Sequence, residues 1–172
     1  LKRDLLARVD TMRPPDALVA TVTSGLSIRG LAEGLSDGFR SHFAGIHLFN
    51  PPHMMTGTEL IPHAEMDGAS VAGLKELLES RVGRSVIVFL GSPAFAGNRV
   101  GFKVLNEVAR LAEQHGVQFM DTLIGPYTGR AMAPLATVDL VGWDVHKAIV
   151  DNVYENTADE AHEHFKLPAF MD

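Results

Sequence analysis

The distribution of β-branched residues divides the chain into two parts. Up to Gly91, short apolar runs rich in β-branched residues alternate with segments of helical periodicity. After Pro93 those runs largely stop and helical periodicity takes over. Alternating strands and helices are typical of an α/β domain, whereas consecutive helices form an all-α domain. The sequence therefore predicts an α/β domain over residues 1–92 and a helical domain over residues 93–172.

Apolar spacing and capping residues predict where the individual elements lie. Strands are expected over residues 17–23, 45–49, 58–62 and 86–90. A first helix ends before Pro14, Ser27 caps a short helix, and Gly83 is the expected C-cap of a third. The apolar faces expected on the first and third helices are Leu1, Leu5, Leu6 and Val9, and Val71, Leu74, Leu77, Leu78 and Val82. Later helices are expected over residues 98–113, from about 119, over 136–140 and over 145–154.

Composition narrows the class of function. The 172 residues are 46% hydrophobic and 21% charged, as in a folded globular protein, and the net charge of −6 argues against nucleic-acid binding or an anionic membrane surface. No signal-peptide pattern and no apolar run of transmembrane length occurs, so no membrane association is expected and the default location is the cytoplasm. The first residue is Leu1 rather than Met, so we expect the natural protein to begin upstream.

A histidine and a glutamate are placed where catalytic groups are often found. His47 stands near the end of an apolar run, and Glu59 opens the next short run twelve residues later. Ligands of open α/β sheets bind at the carboxyl ends of strands. An imidazole oriented by a carboxylate is a general base of the kind that a dehydrogenase needs to remove a hydroxyl proton. The pattern therefore predicts a His47–Glu59 catalytic pair.

His47, and two further polar residues of interest, Ser24 and Asn98, can also be interpreted as having purely structural roles. His47 could be a buried histidine bonded to the backbone, Ser24 could close a turn, and Asn98 could be the N-cap of the long helix. His53 and His63 suggest a metal site with the pair, but their spacing lacks the fixed geometry of a zinc site. We therefore expect no metal.

Four blocks of sequence carry a resemblance to a known family. In chain order they are LKRDLLARVD with ATVTSGLSI, GIHLFNPPHMM with ELIP, SPAFAGNRVGF, and GRAMAPLATVDLVGWDV. Together the blocks resemble 3-hydroxyacyl-CoA dehydrogenase from late in its dinucleotide-binding domain onward. This implies the C-terminal half of a Rossmann-like domain followed by a helical dimerisation-type domain, incomplete at its C-terminus. DNVYEN and FKLPAFMD look most like the multifunctional members that also carry an enoyl-CoA hydratase.

The resemblance implies a reaction and roles for individual residues. The reaction is oxidation of an L-3-hydroxyacyl-CoA to the 3-ketoacyl-CoA in fatty-acid β-oxidation, with NAD as hydride acceptor. His47 matches the base and Glu59 the carboxylate that orients it, while Ser24 and Asn98 match residues that bond the reacting oxygen and the thioester region. The residues that match cofactor contacts are Asn50, Lys2 and Ser24. The family also implies a homodimer formed through the helical domain.

Two departures from the family pattern bear on the cofactor. Val22 stands where the family usually has an asparagine that contacts the cofactor. The G-x-G-x-x-G turn that holds a dinucleotide pyrophosphate does not occur in the chain. The alternative expectation is therefore an inactive truncated module that self-associates through its helical domain.

Overall fold

The computed structural model describes residues 1–91, 93–158, 160 and 162–171. They form two compact units, residues 1–95 and 96–172. Ser92, at the predicted domain boundary, and Asp172, the last residue of the FKLPAFMD segment, lie outside the described residues.

The first unit is an α/β structure, as the strand and helix pattern predicts. Its elements in chain order are α1 Lys2–Met12, β1 Val19–Val22, α2 Ile28–Leu31, α3 Asp37–Arg40, β2 Phe43–Leu48, β3 Gly57–Pro62, α4 Gly68–Ser80 and β4 Ser85–Val88. All four predicted strands are confirmed, although β1 and β4 are shorter than expected.

Helices make up the regular structure described in the second unit. They are α5 Phe95–His115, which begins at the last residue of the first unit, α6 Val117–Leu123, α7 Pro134–Val141 and α8 Trp143–Asn156. Three short 3-10 helices span Pro126–Thr128, His162–Phe165 and Ala169–Met171. Because α5 starts at Phe95, Asn98 lies in its first turn, so the alternative interpretation of Asn98 as the N-cap is wrong.

The four strands form one sheet in the order β1-β2-β3-β4. The β1–β2 and β3–β4 pairs are parallel, whereas β2 and β3 form an antiparallel hairpin. As a result, β1 and β2 end where β3 and β4 begin. We refer to this side as the Leu48 end of the sheet, where Val22, Leu48, Gly57 and Ser85 lie.

Hydrophobic clusters cover both faces of the sheet. Phe43 and Ile61 pack against side chains of α1, α2 and α3, whereas the neighbouring residues Ala44 and Leu60 pack against Leu74 of α4. Successive side chains of a strand point to opposite faces, so the unit has a helix, sheet and helix layering. The second unit has a separate cluster, formed by Val108, Ala109, Ala112, Met120 and Leu135.

Glycine at position 45 allows α2 to lie close to the sheet. A Cβ atom on Gly45 would lie only 2.5 Å from Cδ1 of Ile28, a side chain that is itself buried. Contacts of that length do not occur between carbon atoms in folded proteins, so a larger residue would displace Ile28.

The capping predictions are confirmed at one helix and corrected at another. The Ser27 hydroxyl accepts a hydrogen bond from the Gly30 amide at 3.1 Å, as expected of an N-cap. In α4 the C-cap is Arg81, and Gly83 follows it with a positive φ of 71°. A glycine tolerates that conformation at no steric cost, so Gly83 lets the chain turn towards β4 after the helix has ended at Ser80.

The predicted apolar faces are only partly buried. Leu6 is buried and Val9 packs against the cluster, but Leu1 and Leu5 are exposed. In α4, Leu74 and Leu78 are buried while Leu77 and Val82 are exposed.

Candidate active site

His47 and Glu59 face each other across the β2–β3 hairpin. They are directly paired in the antiparallel register, and the His47 Nδ1 atom lies 2.7 Å from Glu59 Oε2. Each residue is 3% exposed. A carboxylate can only accept a hydrogen bond, so Nδ1–H donates and the neutral ring leaves the lone pair of Nε2 available as an acceptor. This arrangement can take a proton at Nε2 and stabilise the resulting imidazolium through Glu59.

Two aromatic rings lie beside the imidazole. The Phe49 ring centroid is 4.8 Å from that of His47, and the Phe95 centroid is 5.5 Å away. Sequence analysis did not identify either residue. Phe49 could have been found, because it lies two positions after His47 and residues at that spacing share a strand face. Phe95 has no such signal, since it reaches the ring from 48 positions away in sequence. The two rings limit the freedom of the imidazole.

Ser24 and Lys2 lie at the Leu48 end of the sheet. Ser24 is exposed two residues after β1 ends, and β1 runs parallel to the strand that carries His47. The ammonium of Lys2 donates to the Val22 carbonyl at 2.9 Å, which ties the start of α1 to the end of β1. This contact occupies the lysine that the family resemblance assigns to the cofactor ribose.

Asn50 opens the loop between β2 and β3. Its side chain is exposed, three residues after His47. The residues that the structure brings together at this end of the first unit are therefore His47, Glu59, Ser24, Asn50 and Lys2. Asn98 lies in the first turn of α5, in the second unit, and its role in the site stays a prediction.

Two other kinds of site are absent from the described residues. Within them, no group of three or more histidine, aspartate or glutamate side chains is arranged to hold a metal ion. In the same portion of the chain, no helix is long and apolar enough to cross a bilayer.

Comparison with known proteins identifies the family. Residues 1–92 match the family model described as "3-hydroxyacyl-CoA dehydrogenase, NAD binding domain", and residues 95–171 match "3-hydroxyacyl-CoA dehydrogenase, C-terminal domain". The chain belongs to the 3-hydroxyacyl-CoA dehydrogenase family.

Individual proteins are similar to this chain in sequence or in fold. A probable 3-hydroxyacyl-CoA dehydrogenase of Bacillus subtilis is 33% identical over 175 residues, which cover 100% of this chain and 22% of that protein. The crystal structure of (S)-3-hydroxybutyryl-CoA dehydrogenase from Ralstonia eutropha aligns with a TM-score of 0.84 at 26% identity, covering 99% of this chain and 59% of that one.

A relative that bears a different name is also similar. The 5-formyl-3-hydroxy-2-methylpyridine 4-carboxylate 5-dehydrogenase of Mesorhizobium japonicum is 29% identical over 154 residues, which are 87% of this chain and 49% of that protein. The chain thus spans about half or less of the length of these curated relatives.

The family match names NAD as the cofactor. The residues of the first unit can therefore be compared with the parts of NAD that a protein has to hold. Ser24 and Asn50 present exposed polar side chains at the Leu48 end of the sheet, near the end of β2, which carries His47. The 172 residues contain no G-x-G-x-x-G turn for the pyrophosphate. The chain therefore has polar side chains at the Leu48 end of the sheet but no glycine turn of the kind that holds a dinucleotide pyrophosphate.

Proposed function

We propose that this protein acts in the oxidation of an L-3-hydroxyacyl-CoA to a 3-ketoacyl-CoA, with His47 as the general base. The observation that supports the proposal is the buried 2.7 Å contact between His47 and Glu59. Membership of the family supports the substrate class. The proposed place of the reaction is fatty-acid β-oxidation.

The proton follows a single route in this proposal. Nε2 of His47 accepts the proton of the substrate's 3-hydroxyl group, while Nδ1–H keeps its bond to Glu59. The carboxylate of Glu59 then stabilises the imidazolium and prevents the ring from turning. When bound, NAD supplies the hydride acceptor for carbon 3. Protonated His47 returns its proton when the reaction runs in reverse.

Three polar residues have proposed roles. Ser24 and Asn98 act at the substrate, and Asn50 acts at the cofactor. The hydroxyl of Ser24 would donate to the reacting oxygen as it becomes a carbonyl, and the amide of Asn98 would bond the thioester region. Asn50 would contact the nicotinamide. A donor placed on an oxygen where charge develops stabilises the transition state more than the ground state.

Variants of the pair test this proposal in the full-length protein, with NADH consumption on acetoacetyl-CoA as the assay. We expect His47→Gln to lower kcat by about 10²- to 10⁴-fold, because the base is lost. Glu59→Gln should lower kcat less and change the pH profile, because the ring is no longer held by an acceptor-only group.

A histidine outside the pair provides the control. His115 is exposed at the end of α5, so His115→Gln should leave kcat unchanged. Turnover at the normal rate in His47→Gln would refute the assignment of the base. Activity on free hydroxy acids with none on CoA thioesters would instead favour a related nicotinamide-dependent enzyme that acts on a free hydroxy acid.

The second candidate is a module that self-associates, as a homodimer, through residues 93–172. Large apolar side chains exposed in the second unit support it, and they include Val117, Phe119, Leu123, Tyr127, Leu140 and Trp143. Contiguous exposed apolar surface is typical of interaction sites. Both candidates can hold together, and a strict monomer in sedimentation at high protein concentration would exclude this one.

A further inference from the structure

The loop between β2 and β3 joins the strand of His47 to the strand of Glu59. Its residues 49–56 belong to neither a helix nor a strand, so the ladder between the two strands does not fix their positions. Asn50, which the proposed function places at the nicotinamide, lies at the start of this loop. The position of Asn50 therefore depends on what holds the loop.

Arg84 binds the loop through its guanidinium. Nη1 donates hydrogen bonds to the carbonyls of Pro52 and Met55, both at 2.8 Å. The next residue, Ser85, begins β4, and its amide donates to the carbonyl of Thr56 at 3.0 Å. Arg84 and Ser85 together therefore supply donors to three carbonyls of the loop.

Hydrogen bonds within the loop connect Arg84 to Asn50. The carbonyl of Pro51 accepts from the amides of Met54 and Met55, both at 3.0 Å. Met55 is thus bonded on both sides, with its carbonyl held by Arg84 and its amide held by Pro51. Because Pro51 directly follows Asn50, the guanidinium restricts the backbone conformations open to Asn50 through two hydrogen bonds in series.

The guanidinium of Arg84 is partly buried. Its Nε atom is shielded from solvent and, in the part of the chain that the structure describes, has no hydrogen-bond partner. The two bonds from Nη1 come from a charged donor, and charge-assisted hydrogen bonds are stronger than neutral ones. Removal of Arg84 would leave the carbonyls of residues 52 and 55 without this donor, and the loop could then take more conformations.

We infer that Arg84 is a positioning residue for the cofactor, because it holds the β2–β3 loop so that Asn50 is already placed when NAD binds. This inference rests on the proposed function, since it requires that Asn50 contacts the nicotinamide. Without Arg84, cofactor binding would have to order the loop, and that cost would lower the affinity for the cofactor. The His47–Glu59 pair is fixed by the strand register instead, so the rate of the chemical step should change little.

The first test measures steady-state kinetics of the full-length protein with NADH and acetoacetyl-CoA. We expect Arg84→Met to raise KM for NADH about 5- to 30-fold, because both bonds to the loop are lost. The values of kcat and of KM for acetoacetyl-CoA should stay within about twofold of wild type. Arg84→Lys should recover part of the NADH affinity, because an ammonium can still donate to a carbonyl.

Hydrogen exchange tests the loop without the cofactor. In the protein free of NADH, Arg84→Met should speed exchange at the amides of Met54 and Met55 about 5- to 30-fold, and Arg84→Lys should lie between this variant and wild type. Amides of β2 should exchange as in wild type. If Arg84→Met does not fold, Arg84→Gln replaces it in both experiments, because its side chain is shorter and uncharged.

Two variants control for loss of charge and for general destabilisation. Arg81→Met removes an exposed arginine at the C-cap of α4 and should leave KM for NADH unchanged. Asp67→Ala removes the carboxylate that accepts from the Ser70 amide at 2.9 Å at the start of α4. It should lower the midpoint of urea unfolding but leave KM for NADH within about twofold of wild type.

The possible failures can be told apart. If wild type turns over but Arg84→Met keeps the wild-type KM for NADH, or its loop amides exchange as in wild type, the inference is overturned while the proposed function stands. A fall in kcat together with a rise in both KM values would also overturn it, because that pattern indicates general damage to the protein. If wild type neither consumes NADH with acetoacetyl-CoA nor binds acetoacetyl-CoA in calorimetry, the proposed function fails and this inference fails with it.

Discussion

His146 shows what burial does to a histidine that lacks a carboxylate partner. It is fully buried on α8, with Nε2 at 3.5 Å from Asn106 Oδ1. Among the residues that the structure describes, its Nδ1 atom has no hydrogen-bond partner. Burial lowers the pKa of His146 from 6.5 to about 4. His47 is also buried, but its Nδ1 atom is hydrogen-bonded to Glu59. The two buried histidines therefore differ in whether a carboxylate is present to stabilise a protonated ring.

The lowered pKa predicts how stability depends on pH. Between about pH 6.5 and pH 4 the unfolded state binds a proton at His146 and the folded state does not. The free energy of unfolding should therefore fall as the pH is lowered through this range, by about 1–3 kcal/mol in total. Urea unfolding at a series of pH values measures the effect.

A variant that cannot titrate provides the control for this prediction. His146→Gln should have a flatter profile between pH 6.5 and pH 4. The comparison is needed because burial also lowers the pKa of His63, which contributes a slope of the same sign in both proteins. Identical profiles for wild type and His146→Gln would contradict the prediction.

The residues of the site differ in how far sequence could predict them. His47 and Glu59 are visible because each stands in a strand pattern, and a hairpin brings residues twelve apart into register. Phe95 could not be predicted, since its position beside the imidazole depends on how the chain returns after β4. The helix start at Phe95 was missed for a related reason, because Ala94 and Phe95 both have positive φ and no sequence rule assigns that conformation to them.

At the level of elements, α7 depends on a cap supplied by another helix. Its own N-cap residue, Ala133, has no side chain that can accept a hydrogen bond. Instead, the two carboxylate oxygens of Asp121 in α6 accept from the amides of Leu135 at 2.8 Å and Ala136 at 3.0 Å. Sequence patterns describe caps contributed by adjacent residues, so a cap from fourteen positions away was not foreseeable.

Removing this cap should destabilise the second unit. We expect Asp121→Ala to lower the free energy of unfolding by about 0.5–2 kcal/mol, because two amides of the first turn of α7 lose their acceptor. Asp121→Asn keeps one oxygen acceptor and should cost less. Chemical denaturation followed by the fluorescence of Trp143, the only tryptophan, measures both variants.

An aspartate in α7 separates the loss of the cap from the loss of charge. Asp139 is exposed near the C-terminus of the helix, where a negative charge is unfavourable. Asp139→Ala should therefore have the same stability as wild type or slightly more. A loss of stability equal to that of Asp121→Ala would rule out the capping explanation.

At the scale of the whole molecule, two kinds of exposed apolar surface compete as sites of association. In the sheet, β4 is an edge strand among the described residues and its Ile87 is 67% exposed. In the second unit, Leu140 of α7 is 69% exposed. An unpaired strand edge can pair with another chain, whereas an apolar helix face can pack against a second copy.

Matched substitutions identify which surface is used. If association is through the helical unit, Leu140→Glu should weaken it because the carboxylate would have to be buried in the interface. Ile87→Glu should then leave the association constant unchanged. Sedimentation equilibrium over a range of concentrations measures both variants. The reverse pattern would assign association to the sheet edge.

The paired histidine and glutamate belong to one hairpin of twenty residues, from Phe43 to Pro62. Their contact therefore has a low sequence separation, and its formation requires only that two adjacent strands meet in register. Recombination that moves this hairpin into another α/β sheet would transfer the base together with the group that orients it. One continuous segment of twenty residues therefore contains both the imidazole and the carboxylate that orients it.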